Sequence, residues 1–193
     1  YDINRNVPYP DCSTLLTVDY PAADPYVLAA GGTSLPNVSP HKHGTVTQPY
    51  ERPWGGDYMK DYITTWYGLG LYYASYLPEG GGGGVSVRFA RPSYQNGLAG
   101  VQNSASAQSL LCGPAITGAG YQDYWDLPAN AAGRNLPDVA LNADPASGYV
   151  VVYGGVAQGG WGGTSFVAPQ LNGLLTLISE DITPTAANPK GRM

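Results

Sequence analysis

Gly162-Gly-Thr-Ser165-Phe-Val-Ala-Pro169-Gln-Leu-Asn-Gly173-Leu-Leu-Thr-Leu-Ile178 decides the reading of the chain. Its apolar residues fall on nearly every face, so it predicts a buried helix over Ser165–Ile178. Pro169 fits the first turn, where an amide hydrogen has no partner inside the helix. Gly173, one turn on, permits a neighbouring backbone to come close. The serine that opens this helix has two readings. Ser165 or Thr164 is an N-cap whose hydroxyl accepts a bond from the first turn. Alternatively, the glycines leave the Ser165 hydroxyl sterically open, and the helix N-terminus favours negative charge beside it. Such a position suits a nucleophile whose attack creates an oxyanion.

The same tetrapeptide occurs at Gly31-Gly-Thr-Ser34, but Leu35, Pro36 and Pro40 follow it and forbid a helix there. Before it, Tyr26-Val-Leu-Ala-Ala30 reads as a buried strand. Pro137–Leu141 and Gly148–Tyr153 read as further strands, the second as buried or nearly so, with turn chemistry in Asp144-Pro-Ala-Ser-Gly148 between them. The glycine run Gly80–Gly84 leads into the strand-like Val85–Phe89. No Gly-Lys-Ser/Thr follows it, so it lacks the signature of a phosphate loop. Gln102–Leu111 reads as a short helix. Residues 1–20 read as loop, and residues 36–78 as a long surface excursion with a helical turn in Met59–Thr65. Strands mixed with helices predict an α/β protein.

Composition narrows the function. Acidic residues outnumber basic ones, 14 to 9, which argues against a nucleic-acid partner. No apolar run reaches the roughly 18 residues of a membrane helix. Hydrophobic residues make up 43% of the chain, too many for a disordered segment despite 27 glycines and 17 prolines. Charged residues reach only 12%, so few ion pairs are there to be lost in acid. An ordinary secreted protein fits that composition equally well. Cys12 and Cys112 allow at most one intramolecular disulfide and give no metal-ligand spacing.

Several segments resemble one family. Gly163-Thr-Ser-Phe-Val-Ala-Pro169 has the form G-T-S-x-x-x-P found around the nucleophile of subtilisin-like serine peptidases and of sedolisins, the serine-carboxyl peptidases. Pro21–Thr33 resembles the sedolisin stretch through its "VGGT" strand. Gly81–Gln95 resembles its "GGGxSxxFxxPxYQ" segment, and Arg134–Tyr149 its "RxxPDVAxxADPxxGY" segment. The blocks stand in the family's order and span roughly residues 9–180. His43-Gly44-Thr45 echoes the subtilisin base, but Pro49 and Pro53 oppose the helix that should follow, and the motif stands on the wrong side of the "GGT" strand. His41 and His43 are therefore read as solvated loop residues.

The resemblance implies a subtilisin-like, mainly parallel sheet with flanking helices, incomplete in this chain. It implies that residues 1–193 are the C-terminal part of a peptidase domain, with 36–78 as a surface insertion. Ser165 would be the catalytic nucleophile of an acid-active endopeptidase. In the family the base is a glutamate oriented by an aspartate, and a second aspartate, neutral in acid, donates to the oxyanion. Those positions would precede Tyr1, so this chain alone is expected to be inactive. The family's calcium loop would follow residue 193, leaving no metal ligands in this chain. Asp181-Ile182 echoes that loop too soon after the helix. Arg5 and Asp19 fall in the region that lines the primary specificity pocket. Asp138 is read as an acceptor for backbone near a strand start, and Asp144 as a turn acid. Glu51, Glu79 and Glu180, the only glutamates, have no aspartate partner four residues away. The implied partners are polypeptide substrates and an N-terminal propeptide, without nucleic acid or membrane, and the implied location is secreted. Two other readings stay open: a subtilisin-like peptidase with a histidine base, and a non-catalytic module that keeps the fold.

Overall fold

The computed structural model describes residues 18–77, 79–112, 118–120 and 122–180. Helices and strands are mixed, in one three-stranded sheet and four two-stranded ones among the described residues. The chain divides into two compact units, residues 1–31 with 82–139, and residues 32–81 with 140–193.

In the first unit, strands β5 (Gly84–Ala90) and β8 (Gly133–Leu136) pair antiparallel, interrupted between Val85 and Ala90. Strands β6 (Gln108–Cys112) and β7 (Gln122–Leu127) form a second antiparallel pair, with Leu110 opposite Trp125. The short helix expected in Gln102–Leu111 is not found: residues 102–107 are irregular, and Gln108–Leu111 belong to β6. Cross-strand partners outweigh the weak local helix preference of that stretch. The unit is pinned by Arg134, which is fully buried and paired with Asp138 at 2.7 Å. The same guanidinium donates to the Val27 carbonyl at 2.7 Å. Asp138 also accepts from the Ala29 amide at 2.8 Å, so its reading as an acceptor at a strand start holds. The strand itself starts later than Tyr26. The Asp24 carboxylate accepts from the Tyr26 amide and the Asp24 carbonyl from the Val27 amide, and that turn leaves Tyr26 97% exposed.

In the second unit, residues 36–78 contain more than an excursion. Strands β2 (Asn37–His41) and β3 (Gly44–Gln48) form a hairpin around Lys42 and His43. Helix α1 (Lys60–Tyr67) forms where the helical turn was expected, and runs beyond it. Met59, Ile63 and Tyr72 make a small buried cluster, with Val46 of β3 packed against it. The segment therefore folds around apolar residues of its own.

Strands β10 (Tyr149–Tyr153) and β11 (Val156–Trp161) form a hairpin closed by Gly154 and Gly155, both at positive φ, as a type I′ turn requires. The expected burial of β10 is not found: Val150 and Val152 are about 70% exposed. Continuous apolar character marks a strand able to be covered on both faces, and no described element covers this one. Helix α2 (Thr164–Glu180) matches the predicted helix within a few residues. It buries Val167 and Leu171, while Leu174, Leu177 and Ile178 stay exposed, so it is half-buried rather than buried.

Strand β1 (Ala30–Ser34) lies between β4 (Arg52–Pro53) and β9 (Val139–Asn142). It runs antiparallel to β4. Toward β9, Val139 N–H bonds the Ala29 carbonyl at 3.3 Å and Ala143 N–H the Thr33 carbonyl at 2.8 Å. Both residue numbers rise together by equal steps, which is the pattern of a parallel pair. The other ladders, β2–β3, β5–β8, β6–β7 and β10–β11, are antiparallel.

Candidate active site

The approach to Ser165 is built from close backbone contacts. A methyl group at position 162 would lie 2.5 Å from the Ala143 carbonyl oxygen and 2.6 Å from the Pro145 nitrogen, so only glycine fits there. The Gly163 amide donates to the Ala143 carbonyl at 2.6 Å. Gly163 has φ +92°, a conformation that turns the chain into α2 and that L side chains rarely adopt. The Phe166 amide then bonds the Gly163 carbonyl at 3.0 Å. Phe166 stacks on Tyr149, with ring centroids 5.0 Å apart and an interplanar angle of 8°. The Tyr149 hydroxyl is tied to the Asn142 carbonyl at 2.7 Å. Strand end, glycine turn and aromatic stack thus fix the backbone on both sides of Ser165.

Ser165 itself is exposed in the first turn of α2. No hydrogen bond joins its hydroxyl to an acid or a histidine among the described residues. Pro169 falls in the second turn rather than the first, because α2 starts at Thr164. It has no amide hydrogen for the Ser165 carbonyl four residues back, so the helical ladder skips that carbonyl.

The first Gly-Gly-Thr-Ser does different work. Ser34 is fully buried and donates to Asp144 Oδ2 at 2.6 Å. The Tyr58 hydroxyl donates to the same oxygen at 3.0 Å, and the Ala146 amide donates to Oδ1 at 2.9 Å. Asp144 is therefore a turn acid, as read, and also the centre of a buried polar network. Burial, followed by the charge of Asp144, pushes the Tyr58 hydroxyl pKa well above its ordinary value. Beside this network is a cavity of about 490 Å³, lined in part by Trp54, Tyr58, Met59, Tyr76, Glu79 and Asp144. Glu79 is exposed as a residue, yet the cavity strips enough water from its carboxyl to raise its pKa, with Asp144 adding to the rise.

The predicted site residues do not all fall in one unit. Ser165 is in the second unit, and Asp19, exposed, is in the first. Arg5, Cys12 and Asp181-Ile182 lie outside the described residues. The histidines are more than solvated loop residues. The His41 ring packs on Tyr62 at 4.9 Å with its Nε2 buried, and His43, though exposed, stacks on Trp66 at 4.4 Å. Aromatic neighbours on α1 capture both rings, which the absence of a clear periodicity in 36–78 conceals. The cavity residues Trp54, Tyr58 and Glu79 escape a reading of the sequence for the same reason. Their one signal is the concentration of aromatic residues next to the glycine run at 80–84.

Known proteins place the chain. It is 35% identical over 170 residues to Kumamolisin of Bacillus sp. (strain MN-32), covering 87% of this chain and 22% of that protein. It is 33% identical over 161 residues to tripeptidyl-peptidase 1 of Bos taurus, covering 83% of this chain and 20% of the relative. The chain belongs to the sedolisin family. The Homo sapiens tripeptidyl-peptidase 1 matches at 31% over the same share. No family model matches this sedolisin chain. It spans about a fifth of the length of these sedolisin relatives, two of which are named as tripeptidyl-peptidases.

Proposed function

We propose that the chain is part of a serine-carboxyl peptidase domain in which Ser165 is the nucleophile. The observation that carries this is the exposed Ser165 hydroxyl at the start of α2, on a backbone fixed by Gly162 and Gly163, in a chain of sedolisin sequence. In the reaction, Ser165 Oγ would bond the scissile carbonyl carbon and lose its proton to a carboxylate base. The peptide C–N bond breaks as that proton passes to the leaving amine, and water then releases the acyl group from Oγ. The base, its orienting aspartate and the oxyanion donor are assigned to chain preceding Tyr1. The subtilisin-like fold, secretion, action on polypeptides at acidic pH and an N-terminal propeptide belong to the same proposal, as do Asp19 and Arg5 near the specificity pocket.

The proposal places a calcium ion in the complete enzyme, with ligands beyond residue 193. Among the described residues no group of three or more His, Cys, Asp or Glu side chains could hold a metal, so no step is assigned to one here. No helix among the described residues is long and apolar enough to cross a membrane. A histidine base is disfavoured by the packing of His41 and His43 on the rings of Tyr62 and Trp66.

The test is hydrolysis of a denatured protein near pH 4 by the full-length protein and its Ser165→Ala variant. Loss of at least about a thousandfold in kcat is expected, with thermal unfolding unchanged. Undiminished turnover by the variant overturns the assignment. Residues 1–193 expressed alone are expected to show no turnover. Activity of that chain, abolished by Ser165→Ala, would contradict the placement of the base outside it.

A further inference from the structure

The cavity beside Asp144 lies wholly within the second unit, and Ser165 is not among the residues that line it. Its volume of about 490 Å³ falls within the range of roughly 300–1,000 Å³ typical of small-ligand sites. The walls are aromatic and apolar, from Trp54, Tyr58, Met59, Leu71 and Tyr76. The acids inside are Glu79 and Asp144, and His41, whose ring packs on Tyr62, also lines the cavity. Both oxygens of Asp144 are engaged by the protein's own donors. The Glu79 carboxylate, by contrast, has no hydrogen bond or ion pair among the described residues. No lysine or arginine lines the cavity among those residues. The nearby Arg52 is already paired with Asp57.

An aromatic cleft with one free carboxylate fits a specific kind of ligand. A cation on an aliphatic arm lays the arm against the rings and sets its charge against the carboxylate and the ring faces. A neutral group can donate to Glu79 but leaves its charge uncompensated, and an anionic group is repelled. We propose that this cavity binds an arginine or lysine side chain of a polypeptide, with Glu79 as its charge partner. That the side chain belongs to a polypeptide rests on the peptidase reading, whereas binding of the cation does not.

The probe is Nα-acetyl-arginine methylamide, titrated calorimetrically into the full chain at pH 7. Its neutral analogue, Nα-acetyl-citrulline methylamide, is the control. The arginine compound is expected to bind at least about tenfold more tightly than the citrulline compound, the value of one charged hydrogen bond. Glu79→Gln is expected to remove that preference, and Ser165→Ala to leave it intact. Equal binding of the two compounds, no binding of either, or an undiminished preference in a folded Glu79→Gln protein overturns the proposal. Should Glu79→Gln fail to fold, the comparison of the two compounds on the unaltered chain still decides. Retained binding with no peptidase activity would separate failure of the Ser165 assignment from failure of this one.

Discussion

Arg134 is fully buried, and a guanidinium keeps its charge in any protein environment. Its stability there depends on Asp138, whose side chain is only 8% exposed, and on the Val27 carbonyl. Removing Asp138 leaves a buried positive charge without its counterion, and a loss of about 3–5 kcal/mol is expected for Asp138→Ala. Asp57 is the contrast. It pairs with Arg52 with its side chain 55% exposed, and Asp57→Ala should cost no more than about 1 kcal/mol. Urea unfolding of both variants measures the difference, and equal losses would refute this ranking. At this scale the sequence is partly legible. The Pro-Asp-Val segment marks Asp138 as an acceptor near a strand start. That Arg134 turns inward to meet it is not legible, because i,i+4 spacing on an extended segment carries no rule of its own. The start of α2 beside Ser165 is legible through the glycines before it.

The turn between β11 and α2 is the element on which the position of Ser165, the proposed nucleophile, depends. Gly162 has no room for a methyl group beside Ala143 and Pro145, and Gly163 is held at φ +92°. In Gly162→Ala either the turn or the Ala143–Pro145 segment must move, and Ser165 moves with the turn. A displacement of about 1 Å at a reacting atom can cost on the order of a hundredfold in rate. Gly162→Ala in the full-length protein is therefore expected to lower kcat at least about tenfold with little change in KM. Gly154→Ala is the control. Gly154 also has positive φ, but nothing lies within 4 Å of the added methyl, in a hairpin tip away from the α2 turn. It should cost stability of order 1 kcal/mol and leave kcat unchanged. Equal effects of the two on kcat would show that the turn does not position Ser165. Elements whose signal is local were readable: α2 from its apolar run, α1 from the turn at Met59–Thr65, and the 144–148 turn from its Asp-Pro. Strand β6 was not, because its conformation is set by pairing with β7, and β10 was placed correctly but given the wrong burial.

The molecule as a whole carries few charges, 12% of residues, and a net charge of −5, so single carboxyls weigh heavily in its response to pH. Glu79 is one whose sign can be worked out. Loss of water in the cavity and the nearby Asp144 raise its pKa in the folded chain. A raised carboxyl pKa means that the folded state holds the proton more tightly than the unfolded state. The resulting stabilisation is complete below the ordinary glutamate value of about 4.3 and fades as pH rises through the raised value. At neutral pH the folded chain bears an unpaired carboxylate that Glu79→Gln removes. The variant should therefore melt above the parent at pH 7 and with it at pH 3. A gap of equal size at both pH values would show that titration of Glu79 is not its source. The same carboxylate gives the cavity its charge, so the two effects are linked. A basic side chain seated against Glu79 stabilises its ionised form in the folded state alone, by mass action. Added Nα-acetyl-arginine methylamide should therefore raise the melting temperature of the parent at pH 7 and narrow its distance from Glu79→Gln, while the citrulline compound leaves that distance unchanged.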